Sequence, residues 1–148
     1  LGIIFNQRCK NVPRDRWESV IAGYTSIIDM TAEDILRRNP RNLTQSKSFD
    51  TFFSFGPLLY TPEEVKEVNR LEVTTLRNKE TVASNTVASM TYPPDYLVWY
   101  FTQVMTMLPG DIISTGTPGA VHIRNEDQVE CQITGFEPLI NRVVDLKD

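Results

Sequence analysis

Turns rich in proline and glycine divide this chain into short apolar segments, and that division constrains its fold more than any other feature. Nine prolines and seven glycines interrupt the 148 residues. Neither residue type continues a helix well, and most segments between them have the length of strands rather than of long helices. Because the strand-like segments outnumber the helical ones and occur in hairpin-like pairs, the pattern favours an α+β or mixed-sheet domain over a doubly wound parallel one.

The strand-like segments are recognised by their β-forming residues and by the turns that bound them. We predict strands at Leu1–Phe5, Tyr24–Asp29, Thr51–Phe55, Leu71–Arg77, Glu80–Val87, Ile112–Thr115, Gln128–Ile133 and Leu139–Val144. Asn78-Lys79 predicts a hairpin turn between two of these strands, and Gly56-Pro57 is expected to end the strand Thr51–Phe55. Residues 39–50 are polar and are predicted to form a loop.

Pro93-Pro94-Asp95 predicts the start of the longest helix, because proline fits the first helical position. The apolar face of this helix is expected to comprise Leu97, Phe101, Val104, Met105 and Leu108. A shorter amphipathic helix is expected from Pro13 to the residues before Gly23. Two others are expected after Thr31, which would cap the first, and after Thr61.

The charge of the chain argues against two classes of partner. Its net charge is −4 and its isoelectric point is near 5.0, whereas nucleic acids and anionic membranes both favour a basic surface. No apolar run approaches the roughly 18 residues of a membrane span, and we expect no signal peptide. We expect a cytoplasmic protein in which Cys9 and Cys131 are buried reduced thiols; a single disulfide is the alternative.

The length of the chain is that of one domain, so we assign residues 1–148 to a single domain. The chain opens with Leu1-Gly2-Ile3-Ile4-Phe5, which resembles the middle of a strand, and it does not start with methionine. We therefore expect that the N-terminal part of the domain is absent from this sequence.

Two charged residues are candidates for chemistry. Asp29 ends an apolar strand just before a predicted helix, where a carboxylate is costly to bury unless a cation or several donors meet it. Hard cations such as Mg²⁺ take oxygen ligands of this kind, although the aspartate could instead only organise the turn. Lys47 precedes an aromatic strand and could stabilise an oxyanion or enolate in a pocket; the alternative is a solvated loop lysine.

The turn Thr115-Gly116-Thr117-Pro118-Gly119 is a third candidate. Glycine permits close approach of the backbone, and a threonine hydroxyl with nearby N–H groups can hold a carboxylate. The alternative is a purely structural turn, and the turn is not a phosphate loop because no Gly-Lys-Ser/Thr follows it. His122 has no cysteine or histidine neighbour in sequence and is expected at the surface or an interface.

A series of short motifs occurs in order along nearly the whole chain. They are Gly23-Tyr24-Thr25, Asp29-Met30-Thr31-Ala32-Glu33-Asp34, Lys47-Ser48-Phe49-Asp50-Thr51-Phe52, Gly56-Pro57, Asn78-Lys79-Glu80, Leu108-Pro109-Gly110-Asp111, Thr115-Gly116-Thr117-Pro118-Gly119 and Leu139-Ile140-Asn141-Arg142-Val143. Together they resemble the catalytic C-terminal domain of the fumarylacetoacetate hydrolase family. The resemblance implies a mixed-sheet β-roll, usually in a homodimer, and a metal-dependent enzyme acting on 2-oxo, diketo or 2-hydroxydienoic acids through an enolate.

By motif match, the resemblance assigns a role to each candidate residue. Asp29 corresponds to a ligand of Mg²⁺, Mn²⁺ or Ca²⁺, Lys47 to the lysine that contacts substrate near the metal, and Thr117, with Gly116, to the turn that holds the substrate carboxylate. The family's other metal ligands are a Glu-x-Glu pair, which would lie directly before Leu1. The reaction itself, whether C–C hydrolysis, isomerisation or decarboxylation, is not specified by these residues.

The sequence also departs from the family pattern. Members commonly carry arginine where Glu33 stands and glutamine where Leu36 stands, and both side chains can touch substrate. An acid in place of arginine reverses the local charge and speaks against a standard dicarboxylate substrate. These departures leave a second hypothesis, a catalytically diverged member that serves as a binding or scaffold protein.

Overall fold

Two four-stranded antiparallel sheets form the framework of the molecule. The computed structural model describes residues 1–145, and the last three residues of the predicted domain lie outside this range. The strand order is β3-β2-β1-β6 in the first sheet and β5-β4-β7-β8 in the second. Strands β1 to β8 are Gly2–Phe5, Ile21–Asp29, Phe53–Tyr60, Glu72–Arg77, Glu80–Thr86, Ile112–Ser114, Gln128–Ile133 and Leu139–Arg142. The predicted α+β class is confirmed.

Helices connect and flank the sheets. Helix α1 is Glu33–Arg38, α2 is Leu43–Lys47 and α3 is Pro94–Val104, and 3₁₀ turns occupy Arg14–Val20, Val68–Arg70 and Val87–Ser89. No helix within residues 1–145 has the length and apolar character that a membrane crossing requires. Both cysteines are free thiols, and Cys131 is buried.

The core lies between the sheets and beneath α3. Ile3 and Tyr24 are fully buried on neighbouring strands of the first sheet, and Val73 and Val129 are buried on the second. On α3, Thr102 is also fully buried. Its hydroxyl accepts a hydrogen bond from the N–H of Val12 and donates one to the carbonyl of Trp99, so the polar group is satisfied inside the core.

The predicted hairpin is present between β4 and β5. Asn78 and Lys79 have φ values of 53° and 70°, and a two-residue hairpin turn of type I′ requires positive φ at both central positions. The Asn78 side chain also receives a hydrogen bond from the N–H of Gln128, which ties the turn to the start of β7. The strand predictions for β4 to β8 agree with the structure to within two residues.

Four local predictions were wrong. The helix expected from Pro13 is a 3₁₀ turn that ends at Val20, and Gly23 lies inside β2.

Residues 43–47 of the expected loop form α2, and β3 continues through Gly56-Pro57 to Tyr60. Proline is tolerated there because β3 is an edge strand and does not need every N–H for pairing. The segment after Thr61 forms turns that lead to the 3₁₀ turn at Val68–Arg70 rather than a helix starting there.

The boundaries of two further helices also differ from the prediction. Thr31 does not cap α1: the residue before the helix is Ala32, and no side chain caps the helix N-terminus. Helix α3 ends at Val104, so Met105 and Leu108 of the predicted apolar face lie outside it. The buried residues of the helix are Pro94, Val98 and Thr102 instead. The helix stops at Val104 because the chain turns into an extended segment that leads to the bridge between Met107 and Cys9.

Candidate functional site

A cleft of about 710 Å³ opens between the two sheets and brings the predicted site residues to one place. Its walls come from the end of β2, from β4 and β7, from α1 and α2, and from the segment 116–123 that follows β6. Asp29, Lys47, Gly116 and Thr117 all line this cleft. Asp29 and Thr117, almost ninety positions apart in sequence, therefore face the same space. The tertiary fold brings them together, and no local sequence motif does so.

Asp29 and Lys47 form an ion pair in the cleft. The Nζ of Lys47 lies 2.8 Å from Oδ2 of Asp29, and their side chains are 35% and 29% exposed. The same ammonium donates to the hydroxyl of Thr31 at 3.0 Å. The lysine is therefore held by two oxygens at the cleft wall and is not the freely solvated loop lysine that was the alternative.

Helix α2 sets the position of Lys47. The N–H of Ala32 donates to the carbonyl of Ser46 at 2.8 Å, which fastens the helix to the segment that follows β2. Ser46 is fully buried, and its hydroxyl donates to the carbonyl of Leu43. Because Ser46 is fixed, the next residue, Lys47, emerges at a defined point beside Asp29.

The turn after β6 carries Gly116 and Thr117. The N–H of Thr115 donates to the carbonyl of Leu1, and the Thr115 hydroxyl does so too, so the base of the turn is fixed to the residue that precedes β1. The Thr117 hydroxyl donates to the carbonyl of Gly119 at 3.0 Å. Gly116 has φ of 110° and open space where a side chain would project, so the backbone is accessible from the cleft at this point.

The residues described here do not by themselves form a metal site. No group of three or more histidine, cysteine, aspartate or glutamate side chains within residues 1–145 is arranged to hold a metal ion. Divalent cations of the Mg²⁺ type need several oxygen ligands. Asp29 supplies one carboxylate that suits such an ion, and the ion pair with Lys47 uses its Oδ2.

Three features of the cleft were not predicted from sequence. Thr31, expected to cap a helix, instead accepts a hydrogen bond from Lys47. Glu130 and Cys131, on β7, line the cleft although both are buried. Residues 129–131 of β7 are buried one after another, so no alternation along this strand could show from the sequence which of its side chains face the cleft.

Burial raises the pKa of the Cys131 thiol, which therefore stays protonated at neutral pH. The thiol lies against Ser26, whose buried hydroxyl makes no conventional hydrogen bond to a nitrogen or oxygen atom. A protonated, desolvated thiol is a poor nucleophile. Cys131 is thus part of the cleft wall and has no nucleophilic role in the chemistry considered below.

The segment after the turn contacts α1 across the cleft. His122 lies on the segment as a side chain that is 76% exposed, with Nδ1 3.3 Å from a carboxylate oxygen of Glu33. The carbonyl of His122 accepts a hydrogen bond from Arg77 of β4. The expectation of a surface histidine is confirmed, and the residue joins α1 to the segment that carries Thr117.

The protein is of the two-sheet α+β class, and its cleft holds a paired aspartate and lysine. Comparison with known proteins gives the family. The model of the fumarylacetoacetate (FAA) hydrolase C-terminal domain matches residues 1–144. The chain belongs to this family, as the order of its motifs predicted.

Three relatives illustrate the family. Human mitochondrial oxaloacetate tautomerase FAHD2B is 31% identical over 153 residues, which cover 97% of this chain and 49% of that protein. A 5-carboxymethyl-2-hydroxymuconate delta-isomerase from Mycobacterium smegmatis superposes with a TM-score of 0.90 at 32% identity, covering 97% of this chain and 56% of the other. A maleylpyruvate hydrolase from Sphingobium sp. SYK-6, in complex with manganese(II) and pyruvate, gives 0.86 at 27% identity, covering 97% and 52%. This chain spans about half the length of these relatives.

Proposed function

We propose that this chain is the catalytic domain of a divalent-metal-dependent enzyme that acts on a 2-oxo, diketo or 2-hydroxydienoic acid through an enolate. The observation that supports the proposal is the convergence of Asp29, Lys47 and Thr117 on one cleft. The relatives are named as a tautomerase, an isomerase and a hydrolase. Formation and protonation of an enolate is a step that all three kinds of reaction can share.

We propose Asp29 as one ligand of the metal, which is Mg²⁺, Mn²⁺ or Ca²⁺. A bound divalent cation polarises a carbonyl and stabilises the negative charge that develops on its oxygen. The manganese in the related maleylpyruvate hydrolase supports a metal in this family. The remaining ligands would be the Glu-x-Glu pair that the family resemblance places directly before Leu1.

The strand register supports that placement. In the β1–β2 pair, Gly2 lies opposite Thr25 and Ile3 opposite Tyr24, so each step back along β1 is one step forward along β2. Continued in the same way, the third position before Leu1 would face Asp29 and the first would face Ile27. Alternate residues of a strand share a face, so both glutamates would lie on the side of the sheet to which Asp29 belongs.

The chain's own residues would bind and orient the substrate. The Lys47 ammonium supplies positive charge where the enolate oxygen develops, and charge fixed in place before the reaction is effective in a partly desolvated cleft. The Thr117 hydroxyl and the accessible backbone at Gly116 would hold the substrate carboxylate. Fixing that carboxylate limits the orientations of the reacting carbon.

The alternative is a catalytically diverged member that binds such an acid without turning it over. The observation that favours it is the presence of Glu33 and Leu36 in the cleft wall. An acid and an apolar side chain there would remove contacts that a dicarboxylate substrate needs. A binding or scaffold protein of this kind would retain affinity for the acid and lose the reaction.

The test uses the full-length protein with acylpyruvates and 2-hydroxydienoates as substrates, titrated with Mg²⁺ and Mn²⁺. We expect metal-dependent turnover that falls by about 100-fold or more in Lys47→Ala, because one fixed charge at a developing oxyanion is worth that much. Asp29→Ala should raise the metal concentration needed for activity. Lys66→Ala, at an exposed lysine outside the cleft, is the matched control.

Two results would decide between the hypotheses. Turnover that needs no metal and is unchanged in Asp29→Ala and Lys47→Ala contradicts the enzyme proposed here. Binding of the acids to a folded protein with no turnover under any metal supports the diverged binding protein instead.

We also propose that the protein is a cytoplasmic homodimer, with the small oxo-acid as its ligand and neither nucleic acid nor membrane as a partner. The acidic charge and the free thiols support the location. An exposed apolar strip on the edge strand β3 supports the dimer. Its side chains include Phe53, Phe55, Leu58 and Leu59, each more than two-fifths exposed.

A further inference from the structure

The charges that face the cleft are predominantly negative. Among the described residues that line it, those with ionisable side chains other than Cys131 are Asp29, Glu33, Glu130, Lys47 and His122. Three carboxylates thus stand against one lysine, and no arginine is present in the described lining. That lysine is already paired with Asp29, so a second anionic group on a ligand would have no unpaired lysine or arginine of this lining to meet.

Glu33 brings its negative charge to the rim of the cleft. It is the first residue of α1, and its side chain is half exposed. One carboxylate oxygen lies 3.3 Å from Nη2 of Arg37 and the other lies 3.3 Å from Nδ1 of His122. Arg37 does not line the cleft and is 69% exposed, so screening by water weakens its compensation of the charge that Glu33 presents inward.

The neighbours of Glu33 in the cleft wall are apolar. Leu36 lies on the same helix and Leu43 begins α2, and both line the cleft. An uncharged, partly apolar substituent would bury these leucines at no electrostatic cost. A carboxylate in the same place would lose hydration and approach a like charge, which is unfavourable in a partly enclosed site.

We propose that Glu33 determines substrate choice: the cleft accepts 2-oxo acids whose only carboxylate is the one beside the keto group, and it rejects acids with a second carboxylate at the distal end. This inference rests on the proposed function for the identity of the 2-oxo acid. It adds a prediction about the charge at the distal end of the substrate, which the catalytic residues do not specify.

A competing explanation is that Glu33 matters only through its contact with His122. Through that contact α1 would hold the segment that carries Thr117, and any change at Glu33 would disturb all substrates alike. The two explanations differ in one respect. Loss of the contact alone leaves the carboxylate in the cleft, whereas loss of the charge removes the discrimination between substrates.

The experiment compares two substrates that differ only in distal charge, 2,4-dioxoheptanedioate and its 7-amide, with the full-length, metal-loaded protein. We expect kcat/KM for the amide to exceed that for the diacid by about tenfold or more, the effect of one like charge in a cleft of intermediate dielectric. Glu33→Gln should bring this ratio close to one by improving the diacid. The same substitution releases Arg37 from its ion pair with residue 33, and the freed positive charge would also improve the diacid.

Two control variants separate charge from structure. Asp34→Asn removes a charge at the next position of α1, where the carboxylate pairs with Arg38 and does not line the cleft, and it should leave the ratio unchanged. His122→Ala removes the contact but keeps the carboxylate, and it should affect both substrates equally. A ratio that changes in His122→Ala as much as in Glu33→Gln overturns the proposal.

A binding measurement keeps this test independent of turnover. Calorimetric dissociation constants for 2-oxohexanedioate and its 6-amide report the same discrimination without any bond cleavage. If neither dioxo acid is turned over but Glu33→Gln selectively tightens the diacid, the proposed reaction fails and the role of Glu33 stands. If wild type binds both acids equally, or Glu33→Gln changes neither, the role of Glu33 is refuted.

Discussion

Single residues of this chain take their roles from partners that are distant in sequence. Lys47 follows α1 in sequence and contacts Asp29 and Thr31, which precede α1. The residue types and the order of the motifs were enough to predict that Asp29, Lys47 and Thr117 belong together. The role of Thr31 was not predictable, because a threonine before a helix is more simply interpreted as a cap.

At the residue scale, we predict that Gly23→Ala destabilises the fold by roughly 3 kcal/mol or more. Gly23 lies in β2 with φ of 151°, and a Cβ there would overlap the carbonyl oxygen of Tyr60 on β3. Backbone strain and overpacking each cost about 1–3 kcal/mol. Urea unfolding monitored by circular dichroism gives the free energy of unfolding.

Gly135→Ala is the matched control for this substitution. Gly135 has φ of 80° but nothing within 4 Å of the position of a Cβ, so only the conformational cost of about 1 kcal/mol is expected. Equal losses of stability in the two variants would show that the close approach of β2 and β3 is not what requires glycine at position 23.

At the scale of secondary-structure elements, local sequence predicted the β4–β5 hairpin but not helix α2. The β4–β5 hairpin was predicted because Asn78 and Lys79 can adopt the positive φ of its turn. Helix α2 was missed because its residues, Leu43–Lys47, have no amphipathic period. Its order comes instead from the buried Ser46 and from the hydrogen bond between Ala32 and Ser46. A tertiary contact of this kind leaves no trace in the local sequence.

The junction between the β4–β5 turn and β7 should make stability depend on pH. The side-chain amide of Asn78 and the N–H of Arg124 donate to the two carboxylate oxygens of Asp127. These hydrogen bonds hold the pKa of Asp127 below its ordinary value. The folded state therefore favours the charged form, which contributes stability above the ordinary pKa and loses that contribution as pH falls through the lowered one.

We predict that Asp127→Asn lowers the unfolding midpoint at neutral pH and that its difference from wild type shrinks in acid, below about pH 4. Thermal unfolding between pH 7 and pH 2.5 measures this difference. Asp50→Asn, at an exposed aspartate in the turn before β3, controls for the loss of one negative charge. A difference for Asp127→Asn that stays constant over the whole range would contradict the interpretation.

At the scale of the whole molecule, the cleft exists only because the two sheets face one another. Its lining comes from both sheets, both short helices and the segment after β6. The apolar residues of the strands indicated that the strands pack into a core, but no local pattern shows which strands of the two sheets meet. The family resemblance supplied that information and so grouped the site residues together, whereas the α+β class was already favoured by the number and pairing of the strand-like segments.

The proposed dimer can be tested on the edge strand β3. Phe55 is 52% exposed, and its ring lies 6.0 Å from that of Phe53, so the two form part of a continuous apolar surface. Such surfaces on an edge strand commonly mark an interface. We predict that wild type is a dimer by light scattering and that Phe55→Glu is a folded monomer.

Val104→Glu tests whether the effect is specific to β3. Val104 is 58% exposed at the end of α3, and the same substitution there should leave the dimer intact. A wild-type monomer would refute the proposed dimer. Dissociation by both substitutions would show that the interface is not confined to β3.

The most direct test of the central claim is exchange of the methyl protons of pyruvate with deuterium oxide, followed by proton NMR. An enzyme that stabilises an enolate beside Asp29 and Lys47 should catalyse this exchange whichever overall reaction it performs. We predict exchange that requires a divalent metal, is reduced by about 100-fold or more in Lys47→Ala, and is unaffected in Lys66→Ala. Exchange by the metal-loaded full-length protein at the rate of free metal in solution, or at the same rate in wild type and Lys47→Ala, would contradict the account.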